Sequence, residues 1–285
     1  LFALLGEIIA ERGGVLNLGI AGMMVGGALA GFTGAFVFNS IIMGFIFGMI
    51  AGAVLALVHG FLSISLKAQQ PVSGIMLVLL GIGLTSFLGK PMSGRSIAKI
   101  GGFTIPLLNR IPILGPALFK QDILVYLSIA LVPVTWFLLH RTRWGLSVIA
   151  AGENPGAADT LGINVVRVRY ICVLLGGLLT GLGGAYLTLA YTPMWVDGMT
   201  AGRGWIVVAL VIFAFWDPRR ALVGAYLFGG IEALQMRLQS FAIGVPVQLL
   251  QMLPYLSTLL ILAFSSRRKE KRRIGAPAAL GTPYE

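Results

Sequence analysis

Few residues in this 285-residue sequence combine a reactive side chain with a suitable partner nearby. The two histidines, His59 and His140, have no second metal ligand at a workable spacing. No GxSxG motif occurs, and the glycine spacing between Gly83 and Lys90, which Pro91 follows, does not make a phosphate-binding loop. The sequence therefore predicts no catalytic residue, no metal site and no ATPase of its own on this chain.

Several polar residues stand inside or beside apolar runs, where they can mark a substrate pathway. Glycines surround Asn17 in the segment 12–24, and such a run disfavours continuous helix. Interrupted helices form substrate sites in transporters, although a simple turn between two helices is the alternative. The residues predicted to line or flank a substrate pathway are Asn17, Gly19, Gln69, Gln70, Ser73, Glu232 and Gln235.

The polar group at 67–74 has two interpretations. Gln69, Gln70 and Ser73 lead into an apolar run, and amides can bind a neutral ligand by hydrogen bonds without adding charge. That chemistry suits a substrate such as a nucleoside. The alternative is a helix cap with hydrogen bonds between helices.

Glu232 is predicted to lie inside a membrane-spanning helix, with Gln235 one turn later on the same face. A carboxylate is costly in lipid, so it should face the interior of a helical bundle. It can accept a hydrogen bond from a substrate hydroxyl, or it can pair with Arg203 or Arg237.

Composition places these residues in a membrane protein. Hydrophobic residues make up 57% of the chain and charged residues only 11%, whereas soluble domains carry about 25% charged residues. The 39 glycines are typical of closely packed transmembrane helices. The predicted fold is an all-α polytopic transmembrane bundle of about nine spans. The apolar runs are 1–9, 20–38, 41–66, 71–89, 123–139, 170–191, 205–216, 221–236 and 247–264.

Two of these runs, 1–9 and 205–216, are far too short to cross alone, because a span needs about 20 residues. For 1–9 we expect that part of an N-terminal span is missing from the sequence. The run 205–216 is either a half-span or a helix that starts earlier, in the preceding glycines.

Charge predicts the orientation of the spans. The basic cluster at 267–273 belongs in the cytoplasm, because Lys and Arg concentrate in cytoplasmic segments. The nine-span count then places 14 of the 21 basic residues on that side. We predict a transmembrane domain at 1–266 with a cytoplasmic loop at 141–169, and a cytoplasmic basic tail at 267–285. The net charge of +11 is thus explained by membrane topology and not by nucleic-acid binding.

Small residues recur at helical spacing in three runs, which predicts close helix packing or, as the alternative, a subunit interface. The positions are Gly27 and Gly31, then Gly44, Gly48 and Gly52, and finally Gly177 and Gly181.

The loop segment 150–163 predicts a short helix outside the membrane. Asn154 suits the N-cap, Pro155 the first turn and Gly162 the C-cap, so the helix should cover 155–161. A rigid helix whose Ala157, Ala158 and Leu161 share one side can dock into a groove on a partner, although an ordinary connecting helix is the alternative.

The segment 150–163 resembles the coupling loop of permease subunits in bacterial ABC importers. Two further segments, 6–24 (GEIIAERGGVLNLGIAGMM) and 191–213 (YTPMWVDGMTAGRGWIVVALVIF), resemble blocks of nucleoside-type and simple-sugar-type permeases. The segment 228–239 (FGGIEALQMRLQ) is similar to a later block, and 67–74 (KAQQPVSG) is a looser match. The family is the branched-chain amino acid/ribose permease superfamily. The likeness is closest to the shorter permease of the heterodimeric nucleoside importers.

The resemblance implies a subunit that carries nucleosides across the bacterial cytoplasmic membrane by alternating access. Its implied partners are ATPase subunits that bind ATP and Mg, a second permease, an extracytoplasmic substrate-binding protein and the lipid bilayer, with no nucleic acid. The chain itself needs no cofactor. The residues implied to couple it to the ATPase are Gly152, Glu153, Asn154, Pro155, Ala157, Ala158, Leu161 and Gly162.

The outer segments are candidate docking surfaces for the substrate-binding protein. Trp195 and Trp205 flank the loop 192–204, where tryptophan is otherwise expected simply as a membrane-interface residue. The basic segment 90–122 is a second candidate.

One departure from the family is Ala21, where the family commonly has an acidic residue, and it leaves the substrate open. Alternatives are a simple-sugar or riboflavin permease of the same superfamily, an ion-coupled secondary transporter, or a membrane scaffold that transports nothing.

Overall fold

The computed structural model describes residues 1–98, 103–104, 120–240, 246, 249–250, 252–266 and 275–284. The described residues are predominantly helical, with one two-residue antiparallel pair that joins β1 (Phe103–Thr104) to β2 (Lys120–Gln121). The α-helices are α1 (Phe2–Arg12), α2 (Ile20–Phe38), α3 (Ile41–Gly60), α4 (Gln70–Leu88), α5 (Ile123–Arg141), α6 (Arg143–Glu153), α7 (Pro155–Thr160), α8 (Val165–Tyr186), α9 (Arg203–Ala214), α10 (Pro218–Ser240) and α11 (Leu253–Ser266). Short π-helical turns extend α3 over Phe61–Ser65 and α8 over Leu187–Tyr191, and Lys90–Met92 forms a 3₁₀ turn.

Five helices of the described residues are long and apolar enough to cross a membrane. They are α2, α3 with its π-helical extension, α4, α5, and α8 with its π-helical extension. The remaining predicted spans fall short for identifiable reasons. Helix α1 has 11 residues and α9 has 12, while α10 has 23 residues but is far less apolar. Helix α9 starts at Arg203, only two residues before the predicted start at 205. The chain is therefore a multi-helix membrane protein, and the count of nine crossings stays a prediction.

Glycine faces bring α2, α3 and α8 together at the centre of the bundle. A Cβ atom added at Gly52 of α3 would lie 2.2 Å from the backbone oxygen of Gly177 in α8, and one at Gly27 of α2 would lie 2.5 Å from the Cα of Gly181. The Gly48 position similarly meets Ala185 at 2.6 Å. The predicted small-residue faces are thus confirmed as contacts within the chain, because only residues without side chains permit backbones to approach this closely.

Helix α2 also packs closely against α4 and α9, so that most of it is buried. A Cβ atom at Gly22 would lie 2.4 Å from the backbone oxygen of Leu77. On its other side, Ala21 meets the backbone of Gly204, where an added Cβ would lie 2.6 Å from the Ala21 Cβ. A larger acidic side chain at Ala21 would therefore need α9 to move away. The departure from the family pattern is compatible with a close α2–α9 contact.

At one end of the bundle lie the connections between helices that the charge pattern predicted to share one side of the membrane. These connections contact one another through hydrogen bonds. The Leu16 N–H donates to the Gln70 side chain, and the Arg12 side chain donates to the Trp216 carbonyl. This end, called here the α7 end, is formed by 13–19, 61–69, 142–164, 215–217 and 275–284. The predicted basic cluster at 267–273 lies outside the described residues.

The opposite end joins the segments before β1 and after α8. Ser96 pairs with Met194 in an isolated β-bridge, and the Ser86 hydroxyl donates to Asp197 at 2.8 Å. Trp195 between them is 1% exposed and packs in the core, whereas Trp205 is exposed. The membrane-interface interpretation therefore fits Trp205 and is wrong for Trp195.

Candidate functional site

Helix α7 is formed by the capping residues that the sequence indicated. The Asn154 Oδ1 atom accepts a hydrogen bond from the Ala157 N–H at 3.0 Å, and Pro155 stands in the first turn. The helix ends at Thr160, one residue before the predicted end. Gly162 follows with φ +82° and donates to the Asp159 carbonyl, a conformation that favours glycine. A two-turn helix over 155–160 is thus held by its own caps.

The exposed face of α7 differs from the expected one. Ala158 is 2% exposed and packs into the hydrophobic core, while Leu161 is 80% exposed and Ala157 is also exposed. The predicted common face of Ala157, Ala158 and Leu161 is therefore wrong, because Ala158 anchors the helix from beneath. The surface offered to a partner consists of Asn154, Gly156, Ala157, Asp159, Thr160, Leu161 and Gly162.

Two further residues of the predicted docking set attach the α7 loop to the rest of the chain. Gly152 is buried, and a Cβ atom there would lie 2.1 Å from the Arg12 carbonyl oxygen. Glu153 is exposed, and its Oε2 accepts a hydrogen bond from the Ala278 N–H at 3.3 Å. These two positions therefore link α7 to the α1–α2 connection and to the C-terminal segment.

The segment 275–284, called here the C-terminal segment, lies across the α7 end. The Ala279 N–H donates to the Gly152 carbonyl at 2.9 Å, and Tyr284 lies near Asp159 across a cleft. A cleft of about 530 Å³ lies between this segment and the α7–α8 connection. Its lining is Asp159, Gly162, Ile163, Asn164, Val165, Val166 and Tyr284. No local sequence pattern signals this contact, since the residues that meet are more than a hundred positions apart.

Arg169 fastens the C-terminal segment from below. This residue of α8 is 1% exposed, and its Nη1 donates to the Thr282 carbonyl at 3.1 Å. Its Nε and Nη2 have no hydrogen-bond partner among the described residues. A buried cation with so few partners is costly, so any stability that Arg169 adds comes from the contacts it does make. These are the hydrogen bond to Thr282 and the close approach to Gly14, where an added Cβ atom would lie 3.0 Å from Nη2. The sequence treated Arg169 only as a topological charge and missed this role.

Asn17 lies in a closed turn at the start of α2. It is fully buried, and its backbone N–H and Nδ2 donate to the two carboxylate oxygens of Glu7 at 3.3 and 3.2 Å. Its Oδ1 accepts from the Gly19 N–H at 3.0 Å, and a Cβ atom at Gly19 would lie 2.8 Å from Leu77. The helix is interrupted here as predicted, and the polar groups are paired inside the protein. A pathway role for Asn17 and Gly19 stays a prediction.

Gln70 and Ser73 hold the same interrupted segment through Leu16. The Leu16 N–H donates to Gln70 Oε1 at 2.7 Å, and the Leu16 carbonyl lies 3.2 Å from His59 Nε2. The other ring nitrogen of His59 lies 2.8 Å from the Ser73 hydroxyl. Gln69 is exposed at the N-cap of α4 and makes no side-chain cap hydrogen bond. His59 was missed because its partners come from other elements and are invisible in its own run of sequence.

The turn between α9 and α10 completes the α7 end. Trp216 donates its indole N–H to Glu11, and its carbonyl accepts from Arg12 Nε at 3.2 Å. Desolvation alone would raise the pKa of Asp217 beside it. Hydrogen bonds and charge from Arg219 outweigh that effect and hold the pKa of Asp217 below its ordinary value.

Glu232 and Gln235 lie at the opposite end, in a small polar pocket. Glu232 forms an ion pair with Arg203, and the two residues share the pocket with Gln235. The cavity has a volume of about 280 Å³ and is lined by Ala201, Arg203, Ile206, Phe228, Glu232, Gln235 and Pro254. The alternative pairing of Glu232 with Arg203 is therefore confirmed, and the structure does not place these residues beside Asn17 or Gln70.

A larger cavity of about 710 Å³ lies between α2, α3 and α4. Its walls are almost wholly apolar, from residues such as Leu29, Phe47 and Leu84, with Thr33 and Thr85 as the polar exceptions. Such walls do not orient a polar substrate, so the pocket beside Glu232 is the better candidate for substrate contact.

Comparison with known proteins identifies the class to which this bundle belongs. The family model described as branched-chain amino acid transport system / permease component matches residues 1–263. The chain belongs to that family of membrane permease components. No solved structure gave a significant match to the chain.

Several curated relatives match over most of their length. A putative glucose ABC transporter permease protein of Haloferax volcanii is 45% identical, covering 100% of this chain and 93% of the relative. A nucleoside ABC transporter permease protein of Lactococcus lactis is 35% identical, with 92% and 87% covered. A guanosine ABC transporter permease protein of Bacillus subtilis is 34% identical, with 98% and 91% covered. The chain is thus an ABC permease subunit of the branched-chain and sugar superfamily.

Proposed function

We propose that this chain translocates nucleosides across the cytoplasmic membrane by alternating access, as one of two different permease subunits in an ATP-driven importer. ATP and Mg would bind to separate ATPase subunits, and an extracytoplasmic protein would deliver the substrate. The C-terminus and the α7 end would face the cytoplasm. Differential binding of the ATPase to the inward-open and outward-open states would shift their populations.

The observation that carries this proposal is the geometry of α7. It is a capped, rigid helix that exposes Leu161 to solvent while Ala158 fixes it to the core. A push on such a helix passes directly into the bundle, since Gly152 joins the loop to the α1–α2 connection. An ordinary connecting helix would carry the same caps, so the features that favour docking are the exposed Leu161 and the attachment of the loop at Gly152.

The substrate class rests on relatives of two kinds. The nucleoside and guanosine permeases support a nucleoside, as do the segments that suggested the nucleoside-type family. The 45% identity to the putative glucose permease supports a simple sugar as the second candidate. Neutral, hydroxyl-rich substrates are common to both.

Uptake by the reconstituted importer tests the proposal. The chain would be placed in liposomes with its ATPase, second permease and binding protein, and the uptake of labelled uridine and glucose would be followed with and without ATP. ATP-dependent uridine uptake is expected. Glucose uptake alone would replace the nucleoside with the sugar, and uptake driven by an ion gradient without ATP would contradict the importer assignment.

A further inference from the structure

The pocket between α9, α10 and α11 has polar groups that make no hydrogen bond to other described residues. Glu232 uses one carboxylate oxygen for Arg203, and its Oε2 makes no hydrogen bond to a described residue. The Gln235 amide likewise has no partner among the described residues, although it lines the cavity. Polar groups that converge on a cavity without protein partners are those that a ligand can satisfy.

The charge of the pocket selects for a neutral ligand. Among the described residues that line it, Arg203 and Glu232 are the only ionisable ones, and they neutralise each other. Arg203 is fixed by further contacts, since its Nη1 donates to the Met199 carbonyl at 3.3 Å and its guanidinium lies 5.4 Å from the centre of the Tyr191 ring. A charged ligand would have to break this pair, whereas a hydroxyl can donate to Glu232 Oε2 and accept from Gln235 without disturbing it.

The size and the lining residues of the pocket further limit the class of ligand that it can hold. At about 280 Å³ it lies just below the roughly 300–1,000 Å³ of pockets that hold drug-sized ligands, which fits one ring better than two. Ile206, Phe228 and Pro254 supply apolar surfaces for the carbon–hydrogen faces of such a ring. The cavity also lies at the end opposite α7, where a substrate delivered from outside would arrive.

We infer that this pocket is a subsite for a single polyhydroxylated sugar ring, with Glu232 and Gln235 as its hydrogen-bonding residues and Arg203 as the residue that positions Glu232. The inference rests on the proposed function for the direction of transport. It also gives nucleosides and simple sugars one recognition element in common, because both carry a hydroxylated ring, and it leaves the nucleobase outside the subsite.

Protection of a reporter cysteine tests the inference. Cys172 is the one cysteine of the sequence and is buried, so Cys172→Ala gives a background on which Ala201→Cys reports from the exposed rim of the pocket. Ala233→Cys, exposed on α10 and outside the pocket lining, is the control reporter. The full chain in lipid nanodiscs would be alkylated with N-ethylmaleimide in the presence of ribose, glucose, uridine or uracil.

We expect ribose, glucose and uridine to slow alkylation of Ala201→Cys about threefold when present at about twice their dissociation constants, and uracil to have no effect. Gln235→Leu should abolish protection, while Gln239→Leu, one turn further along α10 and not in the lining, should retain it. Protection by uracil, equal protection of Ala233→Cys, or no protection by any sugar would overturn the subsite.

The uptake assay separates the two levels of the proposal. ATP-driven uptake without sugar protection of Ala201→Cys would overturn the subsite and leave the importer function intact. Protection without ATP-driven uptake would leave the subsite intact and overturn the proposed function. If Gln235→Leu does not fold, Glu232→Gln provides the second variant, since it keeps the side-chain shape and removes the charge that accepts the hydroxyl hydrogen bond.

Discussion

Two adjacent glutamines show how one residue type takes opposite roles at neighbouring positions. Gln69 is exposed at the start of α4, whereas Gln70 is buried, accepts from the Leu16 N–H at 2.7 Å and approaches the Thr282 carbonyl at 3.5 Å. The sequence grouped both with a substrate pathway because their chemistry is the same. Only the packing of α4 against 13–19 and the C-terminal segment distinguishes them.

This difference predicts the behaviour of the two alanine variants. Gln70→Ala leaves the Leu16 N–H without its partner and should destabilise the chain by about 1–2 kcal/mol. Gln69→Ala should change the free energy of unfolding by less than about 0.5 kcal/mol, because the side chain it removes is exposed and makes no cap hydrogen bond. Unfolding of both variants in the same detergent, followed by circular dichroism, makes the comparison. Equal stability of the two variants would contradict a structural role for Gln70.

The polar residues also mark how far sequence reasoning reaches at this scale. The pairing of Glu232 with Arg203 was predictable, because a carboxylate in a bilayer needs a partner. The pairing of Asn17 with Glu7 was not, since Glu7 stood in a run too short to be recognised as a complete span. His59 and Arg169 were missed because their partners lie in distant segments, which only the folded chain brings together.

At the scale of elements, the helix packing was readable from the sequence because its signal is local. Glycines at i and i+4 lie on one face of a helix, and three such faces meet in α2, α3 and α8. The caps of α7 were readable for the same reason. Which side of α7 is buried was not, because the small residues Ala157 and Ala158 carry no hydrophobic pattern that separates inside from outside.

The close glycine contact between α3 and α8 gives a prediction for helix packing. In Gly52→Ala the new Cβ would lie 2.2 Å from the Gly177 carbonyl oxygen, so α3 must move away from α8 at a cost of about 1–3 kcal/mol. Gly229→Ala in α10 meets nothing within 4 Å and should be neutral or slightly stabilising. Thermal unfolding in detergent measures both. A Gly52→Ala variant as stable as Gly229→Ala would show that the α3–α8 contact is looser than described.

Helix α7 gives a prediction that belongs to the docking face. Leu161→Arg places a charge on an exposed position and removes an apolar contact surface, so ATPase association should weaken about tenfold or more while the bundle stays folded. Lys67→Glu, an exposed change on another connection of the α7 end, is the control and should bind the ATPase normally. Affinity can be measured by titrating the purified ATPase into nanodiscs. Unchanged binding by Leu161→Arg would remove α7 from the interface.

At the scale of the whole molecule, the C-terminal segment joins parts of the chain that are remote in sequence. It contacts the α7 loop through Gly152, α8 through Arg169 and α4 through Gln70. We therefore expect a displacement of α7 to reach the α1–α2 connection and α4 through these contacts. The predicted division between a transmembrane domain at 1–266 and a separate tail stays a prediction for 267–274, while 275–284 packs against the bundle.

The linkage through Arg169 predicts a local loosening that can be separated from global unfolding. Arg169→Met keeps an unbranched apolar stem but loses the hydrogen bond to Thr282, so the C-terminal segment should open more often. A loss of about 1.4 kcal/mol would speed amide hydrogen exchange at Ala279 about tenfold. Global stability should change much less, because two of the guanidinium nitrogens already lack partners among the described residues.

Arg167→Met, an exposed position of the same helix two residues earlier, is the matched control and should leave exchange at Ala279 unchanged. If the C-terminal segment transmits force between α7 and the bundle, Arg169→Met should also reduce substrate uptake per ATP hydrolysed in the reconstituted importer. A merely structural role would lower uptake and ATP hydrolysis in proportion. Unaltered exchange at Ala279 in Arg169→Met would mean that the backbone bond to Gly152 alone holds the segment, and the transmission role of Arg169 would then be lost.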